Sequence, residues 1–167
     1  GKDMQQHEAM RATLERSELF AMDDRFHSRE HAVEVELPLI EAAWPDVKVL
    51  PIEVPLEQTA VAIGQETARR VADQELRAVY LASSDLTHYG PNYRFTPAGV
   101  GEEALEWARR NDQRLLRLVT DMRAEEIVTE VQAHVNACGG GAIAAMVAAC
   151  KQAGADQGIV LRHANSC

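Results

Sequence analysis

An acid and an imidazole three residues apart, Asp85 and His88, stand in the stretch Ser83-Ser84-Asp85-Leu86-Thr87-His88-Tyr89-Gly90. They follow Ala78-Val79-Tyr80-Leu81-Ala82-Ser83, a compact apolar run of the kind that forms a buried parallel strand. Ligands of open α/β sheets gather at the carboxyl ends of strands, so side chains placed there can converge on a cleft. A carboxylate and an imidazole at this spacing suit metal ligation, or a general base with its orienting partner. The same residues equally suit a capped turn, with Ser84 or Asp85 as the cap and His88 merely satisfied. Ser83 or Ser84 as a hydrolase nucleophile is disfavoured, because Ala82 and Asp85 flank the pair where a nucleophile elbow carries glycines.

Two further places could bear chemistry. His31 and Glu34 share a face if their segment is helical, as an H-x-x-E metal pair would; a histidine at a helix start beside a solvated glutamate is the plainer reading. Cys138 directly precedes Gly139-Gly140-Gly141 and an apolar stretch from Ala142. A thiol beside a helix N-terminus feels the positive end of the macrodipole, which favours its thiolate. The glycines would let backbone approach a ligand or metal closely. They are no P-loop, since no lysine follows in the G-x-x-x-x-G-K-[ST] pattern. A flexible loop beside a buried cysteine is the remaining alternative. Cys150 lies inside the apolar stretch and reads as core, and Cys167 is terminal. His7, His27, His134 and His163 show no partner pattern and read as surface or packing residues.

The elements that must position these groups can be placed by periodicity. Glu8 to Phe20 has a helical pattern, and charged residues dominate from Asp23 to Glu30. His31 to Ile40 is ambiguous: Val33, Val35 and Leu37 alternate as in a half-buried strand, yet Pro38 is tolerable near a helix start. Val47 to Val54, short and β-branched between Pro45 and Pro55, reads as a strand. Glu57 to Gln74 is a helix with Ala60, Val61, Gly64, Ala68, Val71 and Ala72 in one stripe. Ala78 to Ser83 is a strand, and Gly90 to Pro97 a loop. Glu102 to Val119 is a long helix with Ala104, Leu105, Ala108, Leu115, Leu116 and Val119 inward. Asp121 suits the cap of a helix over Ala124 to Val135. A buried helix over Ala142 to Ala153 ends at Gly154, and Gly158 to His163 is a last strand. That order predicts an α/β domain with a mainly parallel sheet, although three strands are few for one.

With 167 residues, 46% hydrophobic and 26% charged, the chain is sized and composed for one soluble domain over 1–167. Seventeen Lys and Arg against 26 Asp and Glu leave a net charge of −9, the wrong sign for phosphate-backbone binding, so nucleic acid is not an expected partner. No apolar run approaches the ~20 residues that span a bilayer, and Gly1 to Gln6 shows no apolar leader; a cytoplasmic location is expected. Three scattered cysteines make neither a disulfide framework nor a CxxC zinc site.

Several segments taken together resemble the Memo family, also called the AmmeMemoRadiSam system protein B family. Arg29-Glu30-His31-Ala32-Val33-Glu34-Val35-Glu36-Leu37-Pro38 resembles its EHS-x-E-x-x-LP motif. Ser83-Ser84-Asp85-x-x-His88-Tyr89-Gly90 resembles SSD-x-x-H-[WY]-G, and Asn136-Ala137-Cys138-Gly139 resembles CG-x-x-PI. Leu161 to Ser166 resembles the family's NYA-x-S segment. The order and spacing agree along nearly the whole chain. The resemblance implies a three-layer α/β/α fold with a mainly parallel sheet, like that of class III extradiol (LigB-type) non-haem iron dioxygenases. It implies His31 and Cys138 as metal ligands with Asp85 and His88 lining the same site, and a helix beginning at His31. Two imidazoles, a thiolate and a carboxylate suit iron, copper or zinc rather than calcium or magnesium. His88 would then move protons and Asp85 orient it, in a redox or dioxygenase-like reaction on a small-molecule ligand. A non-catalytic adaptor that binds a peptide in the same cleft is the rival expectation. The family's domain runs further at both ends and draws another histidine ligand from its upstream part, so this chain reads as a fragment or a cut-down homologue. Ala142 also replaces the family's usual proline, and Gly140 and Gly141 its bulkier residues.

Overall fold

The computed structural model describes residues 4–22 and 31–164. His27, the charged run from Asp23 with Arg29 and Glu30, and Asn165 to Cys167 lie outside them. Six helices organise the described chain: α1 Glu8–Leu14, α2 Leu37–Ala43, α3 Thr59–Asp73, α4 Glu102–Thr120, α5 Ala124–His134 and α6 Gly140–Gln152, with a 3-10 turn at Pro91–Tyr93.

The centre of the molecule is α6. Its residues are mostly alanine and glycine, and Ile143, Ala144, Ala145, Val147, Ala148 and Ala149 are all buried, as expected of a helix apolar nearly all round. Small side chains let α3 come close. A Cβ on Gly64 would stand 2.0 Å from the Ala145 carbonyl oxygen, so here the two helices touch backbone to backbone. On its other flank α6 meets α5, and α5 meets α4, through a core built on Leu115, Ile127, Val128 and Val147. A smaller cluster of Met10, Leu14 and Val71 joins α1 to α3. Glu102 and Glu103 open α4 and Arg117 lies in its last turn, each sign placed to favour the helix dipole.

The three-layer α/β/α arrangement with a parallel sheet is not what the described residues form. The segments expected as strands, 47–54, 78–83 and 158–163, belong to no ladder. The described β pairing is two isolated bridges, Gln6 with Val49 and Gly90 with Phe95. The alternation in these segments is nevertheless expressed. Leu50, Ile52, Val54 and Leu56 pack against the helices while Pro51, Glu53 and Pro55 face out. Likewise Leu76, Tyr80 and Ala82 turn inward, whereas Val79 and Leu81 are 63% and 60% exposed. Period-2 patterning reports burial of one face; a strand also needs a neighbour along its length to take its N–H and C=O groups, and among the described residues only the bridge at Val49 supplies such pairing to these segments.

Other boundaries shift by smaller amounts. The first helix stops at Leu14, and the one after Gly139 begins at Gly140. Asp121 closes α4 rather than opening α5, whose N-cap position is Arg123. His31 to Glu36 forms hydrogen-bonded turns, Val35 N–H to the His31 carbonyl and Glu36 N–H to that of Val33, which lead into α2.

Candidate metal centre

The site is built where the segment after residue 82 crosses the start of α6. Cys138 and Asp85 clasp each other reciprocally. The Asp85 N–H donates to Cys138 Sγ at 3.2 Å, and the Cys138 N–H donates to the Asp85 carbonyl at 3.2 Å. Ser84 Oγ reinforces the crossing by accepting the Gly139 N–H at 2.9 Å. This approach needs a bare Cα at 139: a Cβ there would lie 2.6 Å from the Ser83 carbonyl oxygen. Gly141 does the same for Pro55, whose carbonyl oxygen would be 2.3 Å from an added Cβ. The glycines therefore admit the chain's own backbone, where the sequence suggested a ligand or metal.

On the exposed side of this crossing, His88 Nε2 lies 3.2 Å from Asp85 Oδ2. The imidazole stacks on Tyr93 with ring centroids 4.7 Å apart. Tyr89 holds the next turn, its hydroxyl donating to the Gly99 carbonyl and accepting the Ala98 N–H, both at 2.9 Å, with Phe95 and Trp107 packed around its ring. One ligand atom each from Asp85, His88 and Cys138 lies within 4.8 Å of the others, the single such group among the described residues. Spacing left Asp85 and His88 open between a site and a capped turn, and the family resemblance implied Cys138 beside them; the fold brings the thiol next to them from 53 residues away.

His31 is not part of that group. It sits exposed on its turn with Nδ1 3.4 Å from Glu34 Oε2. The turn still reaches the edge of the site, since Ser83 Oγ donates to Glu36 Oε1 at 3.3 Å. Cys150 is half-buried, and burial raises its thiol pKa, as suits a packing residue. His7 caps α1, its Nδ1 accepting the Met10 N–H at 3.2 Å. His163 does have a partner: its Nε2 is 2.8 Å from Oδ2 of the buried Asp112. The motifs that include His163 and Asn136 give neither of them a role, and Asn111 and Asp112 lie in no motif. The available signal was a polar break, Asn111-Asp112, in the inward stripe Ala104, Ala108, Leu115 of α4.

The family model for Memo-like proteins matches residues 2–167. The chain belongs to the Memo-like family. Among its curated relatives, a MEMO1 family protein of Methanococcoides burtonii is 36% identical over 149 residues, covering 87% of this chain and 52% of the relative. One of Pyrococcus furiosus is 32% identical over 168 residues, 93% of this chain and 56% of the relative. One of Aeropyrum pernix is 34% identical over 164 residues, 95% of this chain and 53% of the relative. The Memo-like chain thus spans about half the length of the curated relatives it matches. No solved structure gives a significant match. Among the described residues no helix is long and apolar enough to cross a membrane.

Proposed function

We propose that this Memo-like chain binds a redox-active transition-metal ion, iron being the expected one, through Asp85, His88 and Cys138. The observation that carries the reading is the convergence of three unlike donors, from segments far apart in sequence, within 4.8 Å. The donor chemistry fits. Imidazole and thiolate select borderline and soft ions such as iron, copper or zinc, whereas calcium and magnesium demand an all-oxygen shell. A bound ion would supply Lewis acidity and one-electron chemistry. The protein's own contribution is placement and proton handling. In the metal-free chain Asp85 Oδ2, 3.2 Å from His88 Nε2, orients the imidazole, and the couplet can hold a proton at that nitrogen, which has to leave if Nε2 is to ligate an ion. Stacking on Tyr93 limits rotation of the ring.

Metal titration of the purified chain tests the site. Cys138→Ser and His88→Ala are each expected to weaken binding by at least about tenfold. His31→Ala, which alters a side chain outside the group, is expected to leave affinity within about threefold, a factor below 1 kcal/mol. Wild-type affinity in both Cys138→Ser and His88→Ala overturns the proposal. Oxygen uptake by the iron-loaded protein with a panel of catechols then separates a dioxygenase-like enzyme from a ligand-binding module that uses the same residues.

A further inference from the structure

The polar side chains buried along α4 stand outside the three-donor group, yet they hold both segments that carry it. Asn111 and Asp112 are each 4% exposed, on the face that otherwise packs alanine and leucine. Asp112 Oδ1 accepts the Thr87 N–H at 2.9 Å. Asn111 donates its amide to Thr87 Oγ1 at 3.1 Å and to the His134 carbonyl at 2.9 Å. The Asn111 carbonyl in turn accepts from Nδ2 of the fully buried Asn136 at 3.1 Å. Thr87 immediately precedes His88, and Asn136 lies two residues before Cys138.

Stability alone does not explain these choices. A carboxylate taken out of water recovers its lost hydration only in part, and apolar replacements of buried polar sets are often neutral or stabilising. Asn136 Oδ1 is buried with no hydrogen-bond partner among the described residues, and a buried acceptor without a protein partner costs desolvation energy. Besides its bonds to α5 at His134 and Glu130 and to His163, what the set achieves is geometric: it ties Thr87, beside His88, and Asn136, two residues before Cys138, to the same turn of α4. We infer that Asn111, Asp112 and Asn136 are positioning residues that use α4 as a common ruler, fixing the Asp85–His88 turn against Cys138. The inference rests on the reading that those three side chains bind a metal, and its test keeps the two apart.

The test compares the full chain with Asp112→Leu, which removes the acceptor for Thr87 and the partner of His163, and Asp112→Asn, which retains an acceptor for Thr87, with Co(II) as the probe. Asp112→Leu is expected to bind Co(II) about tenfold or more weakly, with a weakened thiolate-to-cobalt absorption band, and Asp112→Asn to restore most of both. Amide exchange is followed in parallel on metal-free protein. In Asp112→Leu the amides of Asp85 and Cys138 exchange faster while those in the middle of α6 keep their protection. Should the wild type bind no Co(II), the metal reading falls and the exchange result alone decides on positioning. Wild-type exchange at both amides in Asp112→Leu overturns the inference. So does uniform loss of protection across α6, which marks plain destabilisation. If Asp112→Leu does not fold, Thr87→Val, which removes only the hydroxyl gripped by Asn111, is read by the same criteria.

Discussion

Glu130 is pulled two ways. Burial raises its carboxyl pKa, but the Arg114 guanidinium at 2.7 Å, the nearby His134 and the Asn136 amide outweigh that and hold it below the ordinary 4.5. A carboxyl depressed in the folded state stabilises the fold above its unfolded pKa. That contribution is lost as pH falls through the folded value. Glu130→Gln is therefore expected to cost about 1 kcal/mol at pH 7 by urea unfolding, with the gap to wild type closing below pH 4.5. A gap that stays constant down to acid pH would contradict the assignment. At this scale the sequence was readable where chemistry clusters locally: Asp85 and His88 sit three apart, and Cys138 is marked by its glycines. It was silent on Asp112 and Asn136, because a buried polar residue is recognised by partners that only the folded chain supplies.

Helices carried most of what could be read in advance, since a 3.6-residue stripe is a property of one segment and survives whatever packs on it. α3 and α4 lie within two residues of their expected bounds. The strands failed for the opposite reason: a ladder belongs to two segments, and one segment's pattern shows only which face is buried. The α3–α6 contact gives a sharp expectation at this level. A methyl at Gly64 would meet the carbonyl of Ala145 with no side chain free to move aside. Gly64→Ala should cost about 3 kcal/mol or more, lowering the Tm by roughly 10 °C in a thermal melt, despite alanine's better helix propensity. Wild-type stability in this variant would mean that the two helices do not cross as described.

For the molecule as a whole, the outward faces of the extended segments are its least settled surface. Val79 and Leu81 stand bare, and Ile159 and Leu161 are 76% and 95% exposed. Exposed apolar side chains on extended backbone that is not paired in a sheet are adhesive toward other chains. The double variant Val79→Lys with Leu161→Lys is expected to reduce concentration-dependent light scattering while leaving the Tm within about 2 °C, because neither side chain is buried. Scattering equal to wild type would show that association arises elsewhere.

The clasp between Asp85 and Cys138 also bears on timing. The two residues bracket the whole of α4 and α5, so bringing the thiol to the acid–imidazole couplet closes a loop that contains both helices. A long loop of this kind closes late, since its entropy is lost before the contacts that reward it form. An ion arriving early would find only the local couplet, a weak two-donor chelate. If the proposed site binds an ion, loading would then belong to the folded chain, as a final step that caps maturation instead of seeding it.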